Sequence, residues 1–280
     1  MVRSVPATVP SHAAAVLPLK VWRPNWFDGV ALVVGAAAPD LAYPLVGVVS
    51  LPETHTLAGL FWFCLPVTLL VSWAVRRGAP VIAVHLPAAG PWALRDYGVL
   101  GQVRHPWWLT VSSALVGAGS HVFWDGFTHD PAGHGWAVAL IPALQRDVVG
   151  TQWWHVTQAA SSVVGAVVAV AFASYIGRHR LLRDWHGDPP AATRAPRVFW
   201  STGAAVAALY PVTWALLPAR YSAHVQGLRL LWALGLALLA GAAAVAVAVA
   251  TRARHARTRR SRTCSRGLIW RAPAVSAIGC

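Results

Sequence analysis

In the stretch GAGSHVFWDGFTHD, residues 117–130, His121, Asp125 and His129 follow one another at intervals of four. On an α-helix such neighbours lie about 40° from eclipsed and about 6 Å apart along the axis, so the three share a face. Mixed imidazole and carboxylate donors suit Zn, Mn or Fe better than Mg or Ca. His121 and His129 would stand about 12 Å apart along the axis, too far for all three side chains to hold one ion. Two neighbours on one ion, an ion with a supporting hydrogen-bond partner, or two ions about 3.5–4 Å apart with ligands from other helices all remain open. Further donors occur at Asp40 in APDLAYP, His55 in ETHTLAG and His155 in WWHVTQAASS. Gln158, Ser161 and Ser162 follow His155 and could hydrogen-bond metal ligands from behind.

These groups sit in unusually apolar surroundings. Of 280 residues, 56% are hydrophobic and 11% charged, against about a quarter charged in soluble domains, and the mean hydropathy is +0.52. An ionisable side chain in such sequence needs compensation, and within a membrane it marks function by default. A metal or hydrolytic site is one reading. A polar cluster that only joins helices is a second, since Gly117, Gly119, Ser120 and Gly165 suit close helix packing. A proton or ion path is a third, weakened by the lack of an internal repeat or paired broken helices.

Positioning falls to six apolar runs, near 30–50, 56–75, 107–128, 159–177, 198–218 and 228–251, each near the roughly 20 residues that cross a bilayer. The expected fold is an all-α polytopic membrane bundle. The first run is irregular because Asp40 lies between Pro39 and Pro44, and proline breaks the helical ladder; it is either a kinked span or re-entrant. If all six cross from an inner N-terminus, twenty basic residues fall inside and three, Arg146, Arg220 and Arg229, outside. A re-entrant first run changes the count to 17 and 6 and keeps the orientation downstream. The cytoplasmic side then carries the 178–197 loop and the basic 252–280 tail, expected to be disordered, and the net charge of +14 is a topology signal. Nucleic-acid binding is not expected, because no such motif accompanies the charge. The bilayer is the expected partner, with anionic head groups at the tail. Sixteen Trp fit interfacial belts.

Other signals are weak. Cys64, Cys264 and Cys280 show no paired spacing. The apolar core AAAVLPL is short and precedes Lys20 and Arg23 instead of a small-residue cleavage site. No G-x-S-x-G elbow supports serine chemistry. His85, His105, His134, His179, His186 and His224 read as interfacial residues, and 198–251, without Asp, Glu or Lys in its two runs, reads as scaffold.

The ordered motifs PSHAAAVLPL (10–19), GAAAPDLAYPL (35–45), HTLAGLFWFCLP (55–66), GAGSHVFWDGFTH (117–129) and QAASSVVG (158–165) resemble an uncharacterised family of bacterial polytopic membrane proteins, over residues 6–177. More distantly, the chain resembles membrane-bound metal-dependent hydrolases, which carry an early His, a Pro-Asp dipeptide and a later H-x3-D-x3-H. That resemblance implies His12, Asp40, His55, His121, Asp125 and His129 as ligands for a divalent metal, Zn or Mn. It implies hydrolysis of a lipid or another phosphate or acyl ester at the plasma membrane. His12 departs from the pattern: it precedes only a short apolar stretch, and the simple topology places it on the inner side, away from the others, unless the first run is re-entrant or the segment 11–19 dips into the membrane.

Overall fold

The computed structural model describes residues 9–50 and 53–268, almost entirely helical. Helix α1 (Val9–Trp22) turns back into α2 (Gly29–Ala37), which tightens into a 3-10 helix over Ala38–Leu45. A short α3 (Leu57–Gly59) passes through π-helical Leu60–Cys64 into α4 (Leu65–His85). A 3-10 turn at Leu94–Gly101 leads to α5 (Trp107–Thr128). After α6 (Trp136–Leu140) and a two-residue hairpin come α7 (Trp153–Arg178), α8 (Leu181–His186), α9 (Pro196–Ala207), α10 (Leu209–Leu216) and α11 (Ala223–Leu268). The chain is therefore an all-α membrane bundle.

Three helical stretches are long and apolar enough to cross a membrane: Leu57–His85, Trp153–Arg178 and Ala223–Ala256. α5 matches the run expected at 107–128, but His121 and Asp125 dilute its hydropathy. The run at 198–218 is divided between α9 and α10. The first run is helical and tightens at Ala38. It begins at Asp28 beside Arg76 and finishes where Tyr43 meets His224 and Pro44 meets Arg229, at the opposite end of the bundle. Nine α-helical residues and eight 3-10 residues reach about 30 Å, so the tighter helix lets a short segment span the core.

Asp28 starts this traverse. Its carboxylate caps α2 by accepting from the backbone N–H of Val30 and Ala31, and it also accepts from the Thr110 hydroxyl and the Arg76 guanidinium. One fully buried carboxylate thus ties α2 to α4 and α5. α2 then runs alongside α5 in the same direction. Contact is close because Gly117 faces the Leu32 carbonyl and Gly35 the Ala114 carbonyl, where a Cβ would collide with either. α1 runs parallel to α7, with Ser11 seated on Gly165. Val16 of α1 packs on Leu32 and Ala36 of α2. α9 and α11 pack on α4 through Phe199, Ala242 and Val245 against Val81 and Ile82.

The outer faces are apolar: Leu70, Val163, Val167, Leu234 and Val247 are exposed, as a lipid-facing surface requires. Exposed Trp22, Trp26 and Trp107 ring one end, and Trp136, Trp153 and Trp214 the other. Basic residues gather at the first end: Lys20, Arg23, Arg95, Arg104, Arg178 and Arg197 lie near helix termini there, and Arg76, within α4, reaches Asp28 at the start of α2. Among the described residues, Arg146, Arg220 and Arg229 lie towards the other. α11 continues as a helix through Leu268, so the tail expected to be disordered is helical that far; 269–280 lie outside the described residues.

Candidate metal centre

Near the end opposite the basic one, four elements converge. α1 delivers His12, the 3-10 helix Asp40, the turn before α3 His55, and α5 both His121 and Asp125. All five side chains are buried, His121 completely. For His12 the simple topology gives way to the alternative in which the segment 11–19 enters the bundle. α1 descends alongside α7 from the level of the cluster, so its beginning reaches the other ligands. The His12 ring stacks on that of His121, with centroids 3.7 Å apart.

Hydrogen bonds fix which nitrogen each ring offers. His121 Nδ1 lies 2.7 Å from the Ala36 carbonyl oxygen, which can only accept, so Nδ1 carries a proton and Nε2 is the nitrogen offered to the cluster. The Ala36 carbonyl is free because in the 3-10 register its donor would be Pro39, which has no N–H. The Thr54 hydroxyl donates to the Pro39 carbonyl at 2.8 Å and so accepts from His55 Nδ1 at 3.0 Å. His55 thereby offers its Nε2 to the cluster as well.

Both Nε2 atoms point at carboxylates. His121 Nε2 is 3.2 Å from Asp125 Oδ2 and 3.6 Å from Asp40 Oδ1. His55 Nε2 is 3.4 Å from Asp40 Oδ1 and 3.5 Å from Asp125 Oδ2, and His12 Nε2 is 3.6 Å from Asp125 Oδ1. His121 Nε2 and Asp125 Oδ1 are buried without a hydrogen-bond partner. Imidazole nitrogens this close to carboxylates in a dry interior need a cation between them, either a proton on the ring or a metal ion. Ligand atoms about 2.0–2.1 Å from a tetrahedral zinc ion stand about 3.3–3.4 Å from each other, which matches these separations. Two groups of three have their ligand atoms within 4.8 Å of one another: His12, His121 and Asp125, and Asp40, His55 and His121. The donor set therefore fits a divalent metal.

The remaining sequence candidates occupy other positions. His129 belongs to neither group. The Gln158 amide donates to its Nε2 at 3.1 Å, which turns Nδ1–H towards Asp125 Oδ1, 3.5 Å away. His129 stands behind Asp125 as a supporting group. Ser161 and Ser162 donate to the Gln158 carbonyl within their own helix, and His155 pairs locally with Thr151. Among the described residues, Gln158 is the one of these four that hydrogen-bonds a candidate ligand.

Two neighbours escaped the sequence reading. His134 stacks on His55 with centroids 4.4 Å apart, and burial, with His55 and His129 nearby, pushes its pKa down to about 4. It is thus a neutral lid over the cluster. Tyr43 lies between His55 and His224. His134 follows His129 by only five residues, a signal that a short loop could fold back; Tyr43 carried none.

Comparison with known proteins extends the resemblance seen in the motifs. No curated protein and no solved structure matches the chain. A family model described as "Domain of unknown function (DUF4184)" matches residues 5–257, and so takes in α9, α10 and the apolar part of α11, beyond the five motifs. Because the match covers nearly the whole sequence, the protein belongs to this uncharacterised family.

Proposed function

We propose that the protein is a membrane-embedded metal-dependent hydrolase acting on a lipid or another phosphate or acyl ester. The observation that carries this reading is the pair of buried, unpartnered atoms, His121 Nε2 and Asp125 Oδ1, at a point where three imidazoles and two carboxylates converge. His12, His55, His121, Asp40 and Asp125 would hold Zn or Mn. Bound there, such an ion would bring the pKa of a water ligand towards neutrality and polarise an ester oxygen.

The chain's own residues have distinct tasks in this scheme. Ala36 and Thr54 orient His121 and His55 by holding their Nδ1 protons. His129, steadied by Gln158, orients Asp125. His134 covers His55 and limits water access. The bundle lies in the plasma membrane with its basic end, and the C-terminal part of α11, on the cytoplasmic side. The basic turns from Arg252 onward lie against anionic head groups.

The rival reading is a polar lock, with protons in place of the metal and the cluster only joining α1, α5 and the 39–55 segment. It draws support from the number of elements the cluster joins. An assay separates the two. Metal-loaded protein in detergent is offered p-nitrophenyl phosphate, p-nitrophenyl acetate and phosphatidic acid, with and without chelator. The hydrolase reading expects turnover of at least one, abolished by chelator and by Asp125→Asn. Loaded protein that turns over none of the three would contradict it.

A further inference from the structure

A second group of buried polar atoms lies where α11 begins. Arg229 is 5% exposed and Gln226 7%. Arg229 Nε donates to the Pro44 carbonyl at 2.9 Å, but Nη1 and Nη2 have no partner, and neither does the amide nitrogen or oxygen of Gln226. A guanidinium carries five N–H donors, so four remain unused. All nine acids of the chain are among the described residues, and none pairs with Arg229. An arginine without a counter-charge inside an apolar bundle is costly and marks a binding function more readily than a packing one. A purely structural role at the Pro44 carbonyl would need a single N–H.

Gln226 and Arg229, three residues apart, are neighbours on the helix surface. Arg229 holds the carbonyl of Pro44, the residue after Tyr43 and four beyond Asp40. The Tyr43 ring lies 5.8 Å from the His55 ring and meets that of His224, from the first turn of α11, edge-on at 5.3 Å. The segment that carries Asp40 thus also carries the one bond that Arg229 makes among the described residues.

We infer that Arg229 and Gln226 form a binding site for a phosphate group. A planar fork of four N–H donors plus an amide matches an anion with three or more oxygens better than a carboxylate with two. The charge of the anion supplies the balance that no side chain provides. The site stands whether or not the neighbouring cluster holds metal. Where the hydrolase reading also holds, and resting on it, the substrate is narrowed to a phosphate ester whose phosphate is anchored beside the ligands.

The test uses the full chain. Protein in detergent is titrated with inorganic phosphate. Separately it is placed in phosphatidylcholine bilayers with and without phosphatidic acid. Bound ligand is read by native mass spectrometry and binding by the thermal unfolding midpoint. The parent should be stabilised by at least one probe, and Arg229→Gln should weaken that binding about tenfold or more, with metal content unchanged. A response to inorganic phosphate identifies a soluble phosphate; a response to phosphatidic acid alone identifies a lipid head group. Should Arg229→Gln fail to fold, Gln226→Leu, which leaves the charge in place, is read instead. A parent that responds to neither probe, or folded variants that respond as the parent does, would overturn the inference. Loss of phosphate binding with metal retained, or of metal with phosphate binding retained, separates this site from the centre.

Discussion

At the scale of single residues, the ligands and their supports should respond differently. Replacing His129 by Ala leaves all five converging donors in place and removes only the group behind Asp125. Such supporting partners typically matter by about ten- to a hundredfold in metal affinity, so competition with a chelator should show weakened but not abolished binding. Gln158→Leu should act in the same direction through His129. The pairing of His121 with Asp125 was legible from their spacing, because four residues on a helix fixes a shared face. The order of the apolar runs also brought Asp40 and His55 towards the same group. The arrival of His12 was not legible in that way, since it depends on which way α1 runs; the resemblance to metal-dependent hydrolases implied it before any geometry did. Tautomers were beyond sequence reading, for they depend on a carbonyl left free by Pro39.

At the scale of elements, the α2–α5 contact sets the depth and angle of the site. Gly117→Ala would drive a methyl group into the Leu32 carbonyl. Overpacking of this kind costs about 1–3 kcal/mol, so the unfolding midpoint in detergent should fall. Gly119→Ala, which meets nothing within 4 Å, is the control and should be neutral or slightly stabilising. At the basic end, Asp96 joins the turn after α4 to the α7–α8 corner. Burial opposes its ionisation, but hydrogen bonds from Arg180 and Arg183 outweigh this and hold its carboxyl below the usual carboxylate range. A carboxylate whose folded pKa is depressed stabilises the fold above its unfolded pKa, about 3.9, and that contribution is lost as pH falls through the lower, folded value. Asp96→Asn should therefore lower the midpoint at neutral pH and flatten its decline in acid. The apolar runs revealed these elements well, except where proline reshaped them: Asp40 sits on a 3-10 helix, and the fifth run is two short helices.

At the scale of the whole molecule, the segregation of charge predicts an orientation. In a background with the native cysteines replaced by Ser, a thiol at Val149, fully exposed at the cluster end, should react with an impermeant reagent added to intact cells. A thiol at Asp188, in the exposed turn after α8, should react only after permeabilisation. The opposite pattern would invert the bundle. The orientation rests on arginine placement alone and is what this labelling tests. Scaffold is an incomplete description of 198–251: α11 brings His224 to Tyr43 and Arg229 to Pro44. Sparse polar residues in an apolar helix do not announce which neighbours they will face.

The central claim is that His121 and Asp125 converge on a metal. It is tested most directly by mass-spectrometric metal content of detergent-purified, folded protein and its His121→Ala and Asp125→Ala variants. Near-stoichiometric Zn or Mn in the parent, lost in both variants, is the predicted result. A parent that is metal-free when purified without chelator, and that stays unloaded after incubation with Zn or Mn, would contradict it and leave the polar lock as the reading of the cluster.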